Sequence, residues 1–387
     1  MILDGTIIDA WANAGSPLLA GRWRALRHIT ASPSRIADST RAALVLTHFE
    51  HGYIASNRSA SLAGTTWSLI TSRWQQCLLA PDEMRRTRPA KTTHAGGGVS
   101  AQTGFPDGAA ALNLDVGWIH GSEAAKYNTD PDIQVHACQE HTYILRQNMA
   151  VHYEAPFMFL LFGDSRALLL DTGATANPQF FPLRRTVDAI IDGWLAAHPH
   201  PDDYGLLVLH THSHTDHTAA DSQFADRPDT VVIGAKRDAA WPYFGFADQP
   251  ESVVQVDLGS RILDCFATPG HHEAAVTYYD RYSGILFTGD TIYPGRLYVF
   301  DWPGFVRSID RLVDWCAEQP VAYLLGCHIE MTTKPGVDYP VGWSHQPDET
   351  PLQLTTDHLK QIQSTLKAHN HQPDRYVLPQ MIITPVG

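Results

Sequence analysis

The sequence predicts an α/β sandwich, two β-sheets with helices over their outer faces, behind an N-terminal extension. Three observations carry this. From residue 133 onward, short runs rich in β-branched, aromatic and leucine residues recur, the composition of strands. Between them lie segments with apolar residues at helical spacing, such as Val187, Ile190, Ile191 and Trp194. Strand runs punctuated by helices in this way bury their apolar faces best as helices packed on sheets. The charge also changes along the chain: residues 1–111 hold 11 Lys and Arg against 7 Asp and Glu, a net of +4, and residues 112–387 hold 17 against 34, a net of −17. That shift places a boundary between an extension, 1–111, and a domain, 112–387.

The extension is rich in Ala, Ser, Thr and Arg and shows no sustained period. Residues 92–108 contain Gly96, Gly97, Gly98 and Pro106 and read as a flexible linker. The three glycines are not a phosphate loop, because no Lys-Ser/Thr pair follows at the required spacing. A weakly ordered extension is the expectation, with a small helical accessory domain as the alternative.

In the domain, strands are expected at 133–137, 142–146, 157–162 and 167–170, the last two joined by a tight turn at Gly163-Asp164-Ser165. A helix is expected over 186–197, a buried strand over 206–209, and a strand over 230–233. A helix-like piece interrupted at Pro242 follows. Further strands are expected at 252–256, 261–267, 275–279, 284–287 and 321–325. Val306, Ile309, Leu312, Val313 and Cys316 mark one side of a helix over 305–318, and the last helix is expected over 355–368.

The bulk numbers exclude several function classes. The chain has 387 residues, 44% hydrophobic content and a net charge of −13, so no electrostatic case exists for nucleic acid or an anionic membrane. The apolar run 157–162 is far too short to span a bilayer. Residues 1–20 carry Asp4 and Asp9 and lack a long apolar stretch, unlike a secretory signal. Cys77, Cys138, Cys265, Cys316 and Cys327 form no C-x-x-C pair, which argues for free thiols, a cytoplasmic location and no thiolate zinc site. The expected partner is a small-molecule substrate, with a homodimer left open.

The chemistry is concentrated at His210-Thr211-His212-Ser213-His214-Thr215-Asp216-His217, directly after an apolar strand. A single histidine there would read as a polar loop residue. Four histidines and an aspartate in eight positions are the donors that divalent metals such as zinc select. In an extended loop alternate residues point the same way, so His212, His214 and Asp216 should converge, with His217 opposite them or on a first helical turn. Three later sites share one pattern, in which a strand ends, a Gly or Cys turns the chain, and a donor follows. They are Thr268-Pro269-Gly270-His271, Thr288-Gly289-Asp290 and Gly326-Cys327-His328. Each is weak alone, and their order and number give them weight.

With these motifs in hand, the chain resembles the metallo-β-lactamase-fold hydrolase superfamily over about residues 133–345. Residues 168–173, Leu-Leu-Leu-Asp-Thr-Gly, match the hairpin end that precedes the metal motifs. The resemblance implies a four-layer αββα sandwich of two half-repeats with metals at one edge between the sheets. It implies one metal on His212, His214 and His271, a second on Asp216, His217 and His328, and Asp290 bridging them. Asp171 would brace the metal loop. Zinc is the default, with iron or manganese as alternatives. The nucleophile implied is a metal-bound hydroxide, with Asp216 orienting it or taking its proton. One departure stands out: the third histidine motif continues with His272-Glu273-Ala274. His272 competes with His271 as a ligand on residue type, while the Pro-Gly turn favours His271 and leaves His272 facing substrate.

The spacing from His217 to His328 resembles the glyoxalase II group and its thioesterase and lactonase relatives. The tail, with Lys334, Lys360, Lys367 and Arg375, offers no paired clamp for a glutathione carboxylate. A thioester, ester or lactone hydrolase is therefore expected, with phosphodiesterase, phosphotriesterase or β-lactamase-type activity as the alternative on the same site. Tyr293 and Tyr298 are candidate oxyanion donors, and Arg296 a candidate partner for an acidic substrate. From another class, Asp171-Thr172-Gly173-Ala174 resembles half of an aspartic-protease dyad that a homodimer would complete, though that reading leaves the histidines unexplained.

Overall fold

The computed structural model describes residues 111–386. The extension expected over 1–111 lies outside the described residues except for its last position. One sheet takes its six strands in chain order: β1 (Ile133–Gln139), β2 (Thr142–Gln147), β3 (Phe157–Phe162), β4 (Arg166–Leu170), β5 (Gly205–Leu209) and β6 (Thr230–Val232). The second sheet holds β7 (Val253–Asp257), β8 (Ile262–Ala267), β9 (Val276–Asp280), β10 (Ile285–Gly289), β12 (Tyr323–Gly326) and β13 (Gln353–Leu354), in the order β13-β12-β10-β9-β8-β7.

Period-2 alternation explains why these strands read as unbroken apolar runs. On β3, Phe157, Phe159 and Leu161 face the second sheet, where they join Leu263, Cys265, Tyr278, Ile285, Phe287 and Leu325. Met158, Leu160 and Phe162 face the other way, onto Leu183, Val187, Ile191 and Trp194 of helix α1 (Leu183–Leu195). Both faces of the strand are covered, so no position is left for polar alternation. The second sheet repeats the arrangement. Phe266, Leu286 and Leu324 turn outward onto α4 (Trp302–Glu318) and α5 (Thr356–Ala368). The result is four layers, helix, sheet, sheet and helix.

Helix ends follow local chemistry. Asp301 caps α4 by accepting from the Gly304 amide at 3.0 Å. Thr355 and His358 form a reciprocal capping box at the start of α5. Helix α3 (Arg237–Phe244) tolerates Pro242 and stops at Gly245, a left-handed C-cap with φ 77°. Helix α1 begins three residues before the expected 186 because it follows directly on Pro182. Arg261, fully buried, links the sheets: it donates to both carboxylate oxygens of Asp280 and to the His141 and Phe162 carbonyls.

A third, small sheet was not anticipated. β11 (Arg296–Val299) pairs parallel with β15 (Ile382–Pro385), which pairs antiparallel with β14 (Tyr376–Val377). The 293–298 stretch, which carries the candidate substrate residues Tyr293, Arg296 and Tyr298, is thus tied through β11 to the C-terminal tail. No helix among the described residues is long and apolar enough to cross a membrane.

Candidate metal centre

All the candidate donors follow strand ends. β5 delivers His212, His214, Asp216 and His217, β8 delivers His271, β10 delivers Asp290, and β12 delivers His328. β4 and β5 are parallel neighbours, as are β10 and β12, so their C-terminal ends share an edge. Bonds from the Val276 amide to the Thr211 carbonyl (2.8 Å) and from the Tyr278 hydroxyl to the His210 carbonyl (2.7 Å) draw the two sheets together there.

Glycine is a steric requirement at two of these turns. Gly289 adopts φ 51°, and a Cβ there would lie 2.5 Å from the Thr211 Cβ. A Cβ on Gly326 would lie 2.3 Å from the Tyr293 Cβ. The strand–Gly–donor pattern therefore marks places where the backbone of one motif presses against another.

The donors form two groups. In the first, the His214 Nδ1 lies 2.9 Å from the His212 Nε2 and 3.0 Å from the His271 Nε2. In the second, Asp216, His217, Asp290 and His328 converge. The His217 Nε2 lies 3.1 Å from Asp216 Oδ2 and 3.5 Å from Asp290 Oδ2, and the His328 Nε2 3.3 Å from Asp216 Oδ2 and 3.5 Å from Asp290 Oδ1. Alternation along an extended loop would have grouped Asp216 with His212 and His214. A short helix, α2 (Thr215–Thr218), starts after His214 and swings Asp216 and His217 together into the second group.

These separations suit a shared ion. Two ligands about 2.1 Å from a tetrahedral metal stand roughly 3.4 Å apart. The Asp290 Oδ1 is buried and has no hydrogen-bond partner among the described residues, an arrangement that costs free energy unless a cation meets it. The ring tautomers agree. Nδ1 of His217 donates to Asp171 Oδ2 (2.9 Å), that of His271 to the Tyr298 carbonyl (2.8 Å), and that of His328 to the Glu154 carbonyl (3.0 Å). In its neutral form each ring then presents Nε2 inward as a metal donor.

Charge is divided between the groups. Burial, then the neighbouring His271, push His214 down to about 3, and burial with the surrounding imidazoles holds His212 well below its usual value. These rings are neutral, as metal ligation requires. Burial opposes a charge on His328 as well, but Asp290 and Asp216 outweigh it and lift the group to about 9. His217 is raised in the same way, by Asp216, Asp290 and Asp171. The second group thus calls for positive charge, from protons or from a metal.

Behind the donors, Asp171 is fully buried and holds the loop. Its Oδ1 accepts from the Thr211 amide (2.7 Å), and its Oδ2 from the Thr211 hydroxyl (2.8 Å), His217 Nδ1 (2.9 Å) and Cys327 Sγ (3.3 Å). Burial would raise its pKa, but the His217 charge, the hydrogen bond from His217 and the nearby His210 hold it well below the carboxylate range. With both oxygens engaged inside the protein, Asp171 cannot meet a peptide or a twofold mate, which removes the aspartic-protease alternative. Thr211 and His210 belong to the histidine-rich stretch, but the sequence alone assigns neither a role of its own. The Thr211 hydroxyl joins Asp171 to the His212 Nδ1 at 3.2 Å. His210 sits between Asp171 and Asp221, 3.7 and 3.3 Å away, and is pushed up to about 9, burial being outweighed by those two carboxylates.

The substrate candidates separate. His272 is engaged at both nitrogens: Nδ1 accepts from the Ala274 amide (3.0 Å) and Nε2 meets the Ser213 hydroxyl (3.1 Å). His271, not His272, stands in the first donor group. Arg296 does not await an acidic substrate, because its guanidinium is paired with Glu330 and with Asp338 (3.0 Å) and donates to the Tyr339 carbonyl (2.6 Å). The Tyr293 hydroxyl donates to the Arg296 carbonyl and lies 3.1 Å from Glu330, so it braces that same junction rather than facing an oxyanion. Tyr298 lends its carbonyl to His271.

A family model described as the metallo-beta-lactamase superfamily matches residues 154–364. A hydroxyacylglutathione hydrolase from Chelativorans sp. is 31% identical over 129 residues, 33% of this chain and 49% of that one. An acyl-coenzyme A thioesterase MBLAC2 from Gallus gallus is 26% identical over 211 residues, 45% of this chain and 72% of that one. The chain spans about half the length of the first of these relatives. Among solved structures, a metallo-beta-lactamase from Pontibacter korlensis is matched at TM-score 0.39 and 14% identity, over 61% of this chain and 99% of that one. The family model covers more than half of the 387 residues and includes every donor described above, and the chain belongs to the metallo-beta-lactamase superfamily.

Proposed function

We propose that the chain is a hydrolase that uses two divalent transition-metal ions, zinc by default, to cleave a thioester, ester or lactone. The observation that carries this is the placement of Asp290 between the two donor groups. Its Oδ2 lies 3.8 Å from the His271 Nε2 of the first and 3.5 Å from the His217 Nε2 of the second. Cations held there would lower the pKa of a shared water to about 7 and polarise the substrate carbonyl.

The remaining work falls to the chain's own residues. His212, His214 and His271 would hold one ion, Asp216, His217 and His328 the other, and Asp290 both. The Nδ1 hydrogen bonds of His217, His271 and His328 fix their rings before any ion arrives, which limits the reorganisation that binding requires. Asp216 is the more exposed of the two carboxylates, 15% against 8%. Asp216 would orient the attacking water and accept its proton, which would then pass to the departing thiolate or alkoxide. Relatives named hydroxyacylglutathione hydrolase and acyl-coenzyme A thioesterase support an acyl substrate.

The test is elemental analysis of the purified protein together with a panel of thioesters, aryl esters, lactones, β-lactams and phosphodiesters, with and without chelator. Two ions per chain and chelator-sensitive acyl hydrolysis are expected. Less than one ion per chain in metal-replete buffer, or hydrolysis indifferent to chelation, would refute the proposal. Turnover confined to phosphodiesters or β-lactams would keep the site and replace the substrate class.

A further inference from the structure

Beside the first donor group lies a cleft of about 720 Å³ lined by Ser213, Lys236, Arg237, Trp241, His272 and Glu273. That volume suits a group of small-molecule size. It is contiguous with the donors: the His272 ring stands 4.8 Å from that of His214, and Ser213 lies between two of the donors in sequence. A molecule whose reacting carbonyl sat at the donors would extend naturally into it.

We propose that this cleft is the subsite for an anionic group of the substrate, a carboxylate or a phosphate, held by Lys236 and Arg237. The inference rests on the acyl-hydrolase reading above. Two adjacent cations at the entry to α3 form the paired clamp that the C-terminal tail lacks. Lys236 has no ion pair among the described residues, and its side chain is exposed. The Arg237 guanidinium stacks 3.9 Å from the centroid of the buried Trp241 ring. Stacking fixes the plane of the guanidinium and leaves its N–H edge free for a two-pronged acceptor.

The present partner of Arg237 is weakly held. The Glu273 Oε2 is 3.8 Å from the Arg237 Nη1, beyond hydrogen-bonding distance, and the two side chains are 70% and 48% exposed. A substrate carboxylate or phosphate at about 2.8 Å would form the charge-assisted bonds that Glu273 does not. Asp238 and Glu273 balance the two cations, so entry of an anion is an exchange of partners at Arg237 rather than capture by an open positive field. Arg296, the other arginine near the donors, is already neutralised by Glu330 and Asp338 and cannot serve.

The experiment uses the metal-loaded full chain and three thioesters with one acyl group. They are acetyl-coenzyme A (phosphates), S-acetylglutathione (carboxylates) and the neutral S-acetyl-N-acetylcysteamine. In Lys236→Gln and Arg237→Gln, the ratio of kcat/KM for an anionic thioester to that for the neutral one should fall about tenfold, through KM. Glu273→Gln should move the ratio the other way. Which anionic probe responds identifies carboxylate or phosphate. Anionic and neutral substrates losing rate together, or a ratio unchanged in both variants, overturns the assignment. If wild type turns over none of the thioesters, the thioesterase part of that reading fails, and calorimetry with coenzyme A and glutathione decides the subsite by itself. Tenfold weaker binding in the variants supports it, and equal affinity, or no binding to wild type, overturns it.

Discussion

Asp171→Asn is nearly isosteric, and the structure fixes what it should cost. The backbone at Asp171 has φ 65°, a conformation that Asn tolerates as well as Asp, so no backbone strain confounds the result. The side chain has two orientations. With the new amide nitrogen at the Oδ2 position, it faces three donors, the Thr211 hydroxyl, His217 Nδ1 and Cys327 Sγ. At the Oδ1 position it faces one hydrogen-bond donor, the Thr211 amide, with His210 Nδ1 further off at 3.7 Å, so this orientation wins. It still leaves a buried N–H without an acceptor, at about 1–3 kcal/mol, and weakens the charge-assisted bond from His217 by a similar amount. The expected loss is therefore about 2–6 kcal/mol. At roughly 2 °C per kcal/mol for a body of this size, Tm should fall by about 4–12 °C. His217 also loses the carboxylate that orients it, and metal affinity should drop about 10–100-fold. Calorimetric melting in metal-replete and chelated buffer, with a metal-competition titration, reads both numbers. A Tm within 2 °C of wild type (about 1 kcal/mol by the same conversion) and unchanged metal affinity would refute the role given to Asp171.

Three further outcomes are expected. Asp216→Asn should lower kcat by about 10²–10⁴-fold while keeping the fold and at least one ion, because His212, His214 and His271 remain; full hydrolysis in metal-replete buffer would end the mechanism. Gly289→Ala forces a side chain to φ 51° and to 2.5 Å from the Thr211 Cβ; a destabilisation of about 2–5 kcal/mol with loss of metal is expected in denaturant titration, and a near-neutral result would show that the turn can relax. A chain starting near Ala111 should fold and keep its activity, since Leu112, Leu114 and Trp118 pack on the core and the Trp118 ring meets Phe157 at 4.9 Å. Starting at Ile133 removes that tryptophan and should cost about 3–5 kcal/mol, read as a lowered midpoint; an insoluble Ala111 product would make the extension integral to the fold.

The strand positions were legible because a strand covered on both faces has no polar alternation, so runs such as 157–162 stand out directly in composition. Boundaries moved by a residue or a few where capping decides them, as Pro182 did for α1. β11, β14 and β15 were not legible. They are short, and β11 and β15 pair across some eighty residues of chain, a separation at which no local period signals the partner.

The donor residues were legible for a different reason. Metal chemistry limits the side chains to a few types, and glycine is demanded where backbones press together at Gly289 and Gly326, so identity and order show in the chain itself. By itself the sequence determined the sandwich class, the strand ends that bear donors, and the residues available to hold an ion. Which donors share a point was settled only by α2, which turns Asp216 away from His214. The fates of Arg296 and Tyr293 depended on Glu330, 34 and 37 residues away. The ring orientation of His328 depended on a backbone carbonyl 174 residues away, at Glu154, and a carbonyl is the same group at every position, leaving no mark in residue type. Likewise nothing near Lys236 and Arg237 in the sequence says that His272 lies beside them. Local composition specifies what each segment can bury or bind, and only the folded chain, by closing these long loops, decides which groups meet and so which charges are already spent.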